Sequence, residues 1–176
     1  MPANAVLLRD AGDHLPMLEK FEEKYGMKGV ALVEMPAEVG IAKLLGLKII
    51  EVKDRNDLKG KAHLFDRELT EGTVVYAHIK GPDEFGHDGD AVGKKKSIER
   101  IDRDFFSVVA ERMGDARLAI SCDHATPCTL KRHSADPVPL LITGKREGSR
   151  FTERASKTGG LGTLLGTEVL RNVISL

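Results

Sequence analysis

Tryptophan is absent from the 176 residues, aromatics make up only 5%, and cysteine occurs twice, at Cys122 and Cys128. With no CxxC pair and no spaced cysteine framework, the chain has neither a thiolate zinc site nor a disulfide scaffold, and a reducing cytoplasm is the expected setting. Cys122 reads as a small hydrophobe at a strand end. Excess charge is missing too. The 27 Lys and Arg balance 27 Asp and Glu, so no overall field recruits nucleic acid or an anionic membrane, and neither is expected as a partner. The one tight basic run, Lys94 to Lys96, reads as the solvated face of a helix. No apolar run is long enough to span a bilayer, and Met1 to Arg9 lacks the basic start and long apolar stretch of a secretory signal. Internal repeats and low-complexity tracts are likewise absent.

What remains is a chain with 41% hydrophobic residues, long enough for one well-buried core, so a single domain over residues 1–176 is expected. Ala5 to Leu8, Val30 to Val33, Ile49 to Val52, Thr73 to Ile79, Leu118 to Cys122 and Val138 to Ile142 read as short strands. Several are almost continuously apolar, as buried parallel strands should be. Pro16 to Tyr25, Ala37 to Leu45, Asp57 to Leu69 and Val92 to Met113 read as helices. The last carries Ile98, Ile101, Phe105, Val108 and Val109 at helical spacing. A final helix from about Thr167 to Leu176 follows a Gly-rich connection at Gly159 to Gly166. Strand alternating with helix predicts a layered α/β sandwich with a mostly parallel sheet.

Chemistry concentrates in two stretches, KGPDEFGHDGD at Lys80 to Asp90 and SCDHATPCTLKRHSAD at Ser121 to Asp136. Each follows a strand-like run, so both are expected at the carboxyl edge of one sheet, where ligands bind in open α/β folds. Asp83 and His87 stand four apart, and a helical turn or a tight loop stiffened by Gly86 and Gly89 can aim both at one point. His133 can complete a three-ligand set with them. Asp123 and His124 are neighbours whose side chains are expected to diverge, reaching different points or one ion from opposite sides. Mixed imidazole and carboxylate ligation suits a transition metal, with manganese or zinc expected, and open positions suit catalysis.

These motifs carry a resemblance. KGPDEFGHDGD, SIERID at Ser97 to Asp102, DHATPCTLKRHSADPVPLLI at Asp123 to Ile142 and FTERASKTGGLG at Phe151 to Gly162 resemble the archaeal-type, cofactor-independent phosphoglycerate mutases of the alkaline phosphatase superfamily. ANAVLLRDAG at Ala3 to Gly12 and the run from Phe21 to Val52 resemble the middle of the same family, and residues 1–30 read as the end of its inserted substrate-binding subdomain. The resemblance implies an alkaline-phosphatase-like fold and two divalent ions. Asp83, His87 and His133 would hold one, and Asp123 and His124 would contribute to a second. It also implies transfer of the phosphate of 3-phosphoglycerate through a phosphoserine to give 2-phosphoglycerate. Lys80 and Arg9 are the candidates to grip substrate phosphate or carboxylate, and Asp88 and Asp90 the candidates to orient imidazoles.

One departure accompanies the match. The family's first strand, with a metal-binding aspartate and the serine nucleophile, has no counterpart here, so the chain looks like a carboxy-terminal portion with an incomplete second site. A complementary amino-terminal chain is then an expected partner. An unpaired strand edge and exposed apolar surface predict a homo-oligomer. Two other readings stand beside the mutase. One is a different phosphoryl-transfer enzyme of the superfamily, such as a phosphatase, a kinase-like relative or one labelled phosphonopyruvate decarboxylase. The other is a non-catalytic metal-binding fragment.

Overall fold

The computed structural model describes residues 12–143 and 150–175. The strand expected at Ala5 to Leu8 and the candidate Arg9 lie outside the described residues.

Strand β1 (Lys28–Val33) is central, with β2 (Lys48–Glu51) and β3 (Thr73–Ala77) parallel on either side in the order β2-β1-β3. Register pairs Leu32 with Ile50 and with Ala77. The near-continuous apolar run of β1 reflects burial on both faces. Val30 and Leu32 point to one side, where they pack with Leu58, Ala62, Phe65, Phe105 and Val109; Ala31 and Val33 point to the other, against Ala42. Leu32 is fully buried, which is worth about 1.5–3 kcal/mol in transfer free energy.

Helix α1 (Phe21–Tyr25) precedes β1, and α2 (Pro36–Leu45) covers the Ala31 face. Pro36 stands at the first helical position, and Glu38 accepts the backbone N–H groups of Glu34 and Met35. On the opposite face lies α3 (Leu58–Glu68), whose N-cap Asp57 accepts from the Gly60 amide at 2.8 Å. Helices therefore cover both sides of the parallel sheet, the layered α/β arrangement that the sequence predicts.

After β3 come α4 (Pro82–Asp88) and α5 (Ala91–Ile101), then a π-helical segment, Asp102–Phe106, and α6 (Ser107–Arg112). The single helix expected from Val92 to Met113 is thus broken at its middle. The Ser107 amide bonds to the carbonyl of Asp102, five residues back, and the Ser107 hydroxyl donates to the Arg103 carbonyl. The wider turn brings the consecutive Phe105 and Phe106 both to the core, in edge-to-face contact with ring centroids 5.2 Å apart, and Phe105 also meets Phe65 edge-on.

Two further expectations are corrected. The helix expected over Pro16 to Tyr25 is confined to α1, because Leu15 and Met17 find no core and remain exposed, and a short helix without a buried face is marginal. The later strands β4 (Ala119–Ser121) and β5 (Leu140–Ile142) do not join the parallel sheet. They form a separate antiparallel pair, with Ile120 opposite Leu141. A chain that returns from β4 through one loop can pair with itself antiparallel, whereas a parallel neighbour needs a crossover. Leu118, at the start of this pair, packs on the Phe105 cluster. Short α7 (Glu153–Ser156) was not foreseen, and α8 (Gly166–Ile174) closes the described chain. Arg117 holds the end of α8 by donating to the carbonyls of Val173 and Ile174, both at 2.9 Å.

Candidate metal centre

The stretch carrying Asp83 and His87 is a helix rather than a loop. Gly81, at φ +133°, turns the chain out of β3 in a conformation that side-chain-bearing residues avoid, and Pro82 starts α4 immediately after it. Asp83 lies in the first turn and His87 in the last, one turn apart on the same face. Asp83 Oδ1 and His87 Nε2 are 3.6 Å apart.

Asp123 and His124 follow β4. The chain then makes a tight turn, with the amides of Leu130 and Lys131 both donating to the Pro127 carbonyl, and doubles back so that Ala125 and Ser134 form an antiparallel bridge. That bridge delivers His133 to α4: its Nε2 lies 3.6 Å from Asp83 Oδ1 and 3.1 Å from His87 Nε2. A point equidistant from these three atoms in their plane would lie about 2.0 Å from each, the distance of a zinc–nitrogen or zinc–oxygen bond. His124 stacks on His133 with ring centroids 3.7 Å apart, and Asp83, His124 and His133 also present donor atoms that all lie within 4.8 Å of one another. The two triads share Asp83 and His133. The first is the tighter for a single ion, because all three of its separations fall at or below 3.6 Å.

The side chains of Asp123 and His124 do not diverge as expected. Asp123 Oδ1 accepts the His124 amide at 3.0 Å, which folds the carboxylate back so that Oδ2 stands 3.3 Å from His124 Nε2. All five sequence-predicted ligands therefore gather beside one face of α4. Asp83, His87 and His133 have side chains 44%, 45% and 52% exposed, open enough for a small substrate to reach an ion held among them.

Hydrogen bonds around the cluster set its protonation. A carbonyl oxygen only accepts, so His87 Nδ1, 3.3 Å from the Lys131 carbonyl, carries the proton and leaves the Nε2 lone pair turned toward Asp83 and His133. Partial burial raises the Asp83 pKa. The Thr126 hydroxyl and the neighbouring His87, His124 and His133 outweigh that effect, and the carboxyl ends below its ordinary value. Asp83 is thus an ionised, acceptor-only carboxylate among three imidazoles.

Several roles differ from expectation. Asp90 is the N-cap of α5, accepting from the Gly93 amide at 2.8 Å, and orients no imidazole; Asp88 is exposed. Lys94, read as part of a solvated face, instead donates to the Thr126 carbonyl at 2.7 Å and ties α5 to the ligand loop. Lys80 is exposed at the turn between β3 and α4. Cys122 is an exposed residue rather than a packed one, and desolvation first, then Asp123 and Glu153, push its thiol pKa up.

Two features escaped sequence reading. Thr126 is 3% exposed and sits between Asp83 and His124. At the carboxyl ends of β1 and β3, the fully buried Lys61 ammonium pairs with Glu34 and donates to the His78 carbonyl at 2.9 Å, while His78 Nδ1 bonds to Glu38. A lysine inside the apolar stripe of α3, flanked by Leu58, Ala62 and Phe65, was the available signal.

Comparison with known proteins accords with this geometry. Residues 1–174 match the Metalloenzyme superfamily. The chain is 39% identical to a 2,3-bisphosphoglycerate-independent phosphoglycerate mutase of Aeropyrum pernix, over 94% of this chain and 42% of that protein. It is 37% identical to one from Methanosphaerula palustris, over 99% of this chain and 44% of the relative. The chain thus spans less than half the length of these curated relatives. Among solved structures, a Pyrococcus horikoshii protein superposes with a TM-score of 0.79 at 28% identity, covering 92% of this chain and 52% of that one. The cofactor-independent phosphoglycerate mutase of Thermoplasma acidophilum gives 0.71 at 23% identity, covering 91% and 39%, a likeness of fold. With nearly every residue inside the matched region and carboxylate and imidazole donors converging on α4, the chain belongs to the Metalloenzyme superfamily.

Proposed function

We propose that this chain is the metal-binding part of a phosphoglycerate mutase that interconverts 3-phosphoglycerate and 2-phosphoglycerate. Asp83, His87 and His133 hold one divalent ion, and Asp123 and His124 contribute to a second. The observation that carries this reading is the convergence of the five side chains beside one face of α4, in a chain 39% identical to a 2,3-bisphosphoglycerate-independent phosphoglycerate mutase. Imidazole nitrogen mixed with carboxylate oxygen favours manganese or zinc over magnesium or calcium.

Bound ions of this kind lower the pKa of a hydroxyl nucleophile and neutralise charge on a transferred phosphoryl group. The residues of this chain do the holding. Asp83 supplies the negative charge that offsets part of an ion's own. His87 presents Nε2 because its opposite nitrogen is engaged by the Lys131 carbonyl. Lys80 stands at the same strand-to-helix turn as Asp83 and offers a cation to substrate phosphate or carboxylate. Arg9 has the same role in this reading. Asp123 and His124 alone are fewer than the three protein ligands usual at a catalytic zinc. None of the described serine hydroxyls hydrogen-bonds to any of the five side chains. A further ligand and the serine nucleophile are accordingly assigned to a complementary segment, acting with this chain in the cytoplasm.

The experiment is a calorimetric titration of the metal-stripped protein with Mn2+ and with Zn2+. It is paired with a coupled assay of 3-phosphoglycerate conversion, with and without the amino-terminal segment of an archaeal relative. Tight binding near one ion per chain, with turnover only in the mixture, is expected. Absence of binding by either metal overturns the reading.

A further inference from the structure

The end of β3 carries a second group of titratable side chains, outside the five ligands. His78 continues the strand, its amide bonded to the Leu32 carbonyl at 3.3 Å. Two further groups hold it: the fully buried Lys61 ammonium donates to its carbonyl at 2.9 Å, and its Nδ1 bonds to Glu38. Glu38 is fixed in turn, because its other oxygen accepts the amides of Glu34 and Met35, both at 3.3 Å. His78 Nε2 has no partner among the described residues, where every buried side-chain nitrogen or oxygen has one, so Nε2 is open to solvent. A carboxylate on Nδ1 with Nε2 free is the arrangement in which an imidazole moves protons, since the carboxylate orients the ring and stabilises its imidazolium form. The dyad stands at the carboxyl ends of parallel strands, where open α/β folds bind ligands, and five residues before Asp83. Tyr76, paired with Ala31 on the face that α2 covers, joins it to the metal centre. Burial first, then Glu38 and Asp123, raise the Tyr76 phenol above its ordinary value, so one tyrosine stands in the field of the dyad and of the ligand loop together. Stability alone is a poor reason to keep Lys61 and Glu34 here, because removing two charges from water offsets most of what their attraction returns.

We propose that His78, with Glu38 behind it, is the proton carrier of the phosphoryl transfer at the neighbouring metal centre, and that Lys61 positions it through the His78 carbonyl. The inference rests on the mutase reading and deepens it. As the phosphorus–oxygen bond of 3-phosphoglycerate breaks and one to the serine oxygen forms, the Nε2 proton of the imidazolium passes to the departing 3-oxygen of glycerate. In the return transfer the 2-hydroxyl gives its proton to the now neutral Nε2 while its oxygen bonds to phosphorus and the bond from serine oxygen to phosphorus breaks. The serine leaves as the alkoxide it began as, the imidazolium is restored, and no proton is gained or lost over the cycle.

The test uses the full chain, mixed with the amino-terminal segment of an archaeal relative, and its His78→Gln and Glu38→Gln variants. Calorimetry follows Mn2+ binding and thermal melts follow folding. Diethyl pyrocarbonate, read residue by residue from peptide masses, is expected to modify His78 of the wild type along with the exposed His14 and His63. Saturating 3-phosphoglycerate with Mn2+ is expected to slow that reaction at His78 and to leave His14 and His63 unaffected. His78→Gln is expected to lower kcat by about 10²–10⁴-fold, the usual contribution of a general acid–base group, with KM and Mn2+ affinity nearly unchanged, a split that loss of fold or of metal does not produce. Glu38→Gln is expected to lower kcat as well, again at unchanged Mn2+ affinity. An unreactive His78 in the wild type overturns the proposal whether or not the variants fold, and so does a folded His78→Gln protein with the parent's kcat. Where Mn2+ binds but the mixture does not turn over, protection decides: a His78 shielded by 3-phosphoglycerate supports the proposal, and an unshielded one overturns this inference alone. Absence of metal binding overturns the proposed function and this inference with it.

Discussion

His87 Nε2 and His133 Nε2 stand 3.1 Å apart across 46 residues of sequence, and each is 3.6 Å from the same oxygen of Asp83. The fold builds this approach from both sides. His87 is aimed by α4 and by its bond to the Lys131 carbonyl, and His133 by the bridge between Ala125 and Ser134.

Removing one corner of that triangle should be felt directly. His87→Ala is expected to weaken Mn2+ and Zn2+ binding at least about tenfold, because a chelating ligand is lost from a site with few of them. Calorimetry at matched pH checks this, and unchanged affinity removes His87 from the ligand set.

Gly86 controls how closely the ligand loop sits on α4. A methyl at this position meets the Thr126 carbonyl oxygen at 2.5 Å, and backbone cannot yield as a flexible side chain can. Gly86→Ala is expected to cost about 1–3 kcal/mol by overpacking and to weaken metal binding by pushing Thr126 and His124 away from Asp83. Denaturant unfolding and a zinc titration on one preparation separate the two effects. A variant as stable and as tight-binding as the parent would contradict the close approach.

Lys61 is fully buried and its partner Glu34 nearly so. Glu34→Gln leaves the ammonium without a counter-charge and is expected to destabilise the protein by about 3–5 kcal/mol, whereas replacing both partners by apolar residues should restore much of the loss. Urea midpoints of the single Glu34→Gln and the double Lys61→Met, Glu34→Leu variants test this. A double variant no better than the single one would show that the charges themselves are required.

Acid should loosen the same end of the sheet. Burial raises the Glu38 pKa, but its bond to His78 and the amides of Met35 and Glu34 more than offset this, and the folded carboxyl sits below the ordinary glutamate value. A carboxyl depressed by folding stabilises the native state fully above its unfolded pKa, and that contribution disappears as pH falls through the folded value. Stability is therefore expected to drop below the ordinary glutamate range, and Glu38→Gln to flatten that acid limb while lowering stability near neutrality. Melting temperatures across pH 3–7 for both proteins test it; identical acid slopes would exclude Glu38 as a contributor.

The outer strands β2 and β3 each have one hydrogen-bonded neighbour among the described residues, and Leu15, Met17 and Leu165 are exposed. Open strand edges and apolar surface favour association. Light scattering should give a mass above that of one chain that rises with concentration, and a monodisperse monomer over a wide range would refute this.

Much of the parallel core was legible because its signals are local. Val30 to Val33 form a short apolar run with no polar face, and that pattern suits a strand covered on both sides. The helix at Leu58–Glu68 announced itself through Asp57 and its apolar spacing. The break at Asp102–Phe106 was not legible, since a π turn leaves apolar spacing close to that of an α-helix and is decided by whether Phe105 and Phe106 can both be packed. Nor was the separation of β4 and β5 from the parallel sheet, because an apolar tripeptide fits either pairing.

The sequence by itself determined which atoms could bind metal: Asp83 and His87 one turn apart, Asp123 beside His124, and His133 ten residues after Asp123. Spacing within one segment is fixed by helix and turn geometry, so it can be read without a fold. Only the tertiary structure decided that the two segments meet, that Asp123 folds back on His124, and that Thr126 lies between Asp83 and His124 with its hydroxyl shared by both. The contacts of Asp83 with Thr126 and His124 join residues more than forty positions apart. Their distances follow from how the ligand loop packs on Gly86 and α4, which no local pattern encodes.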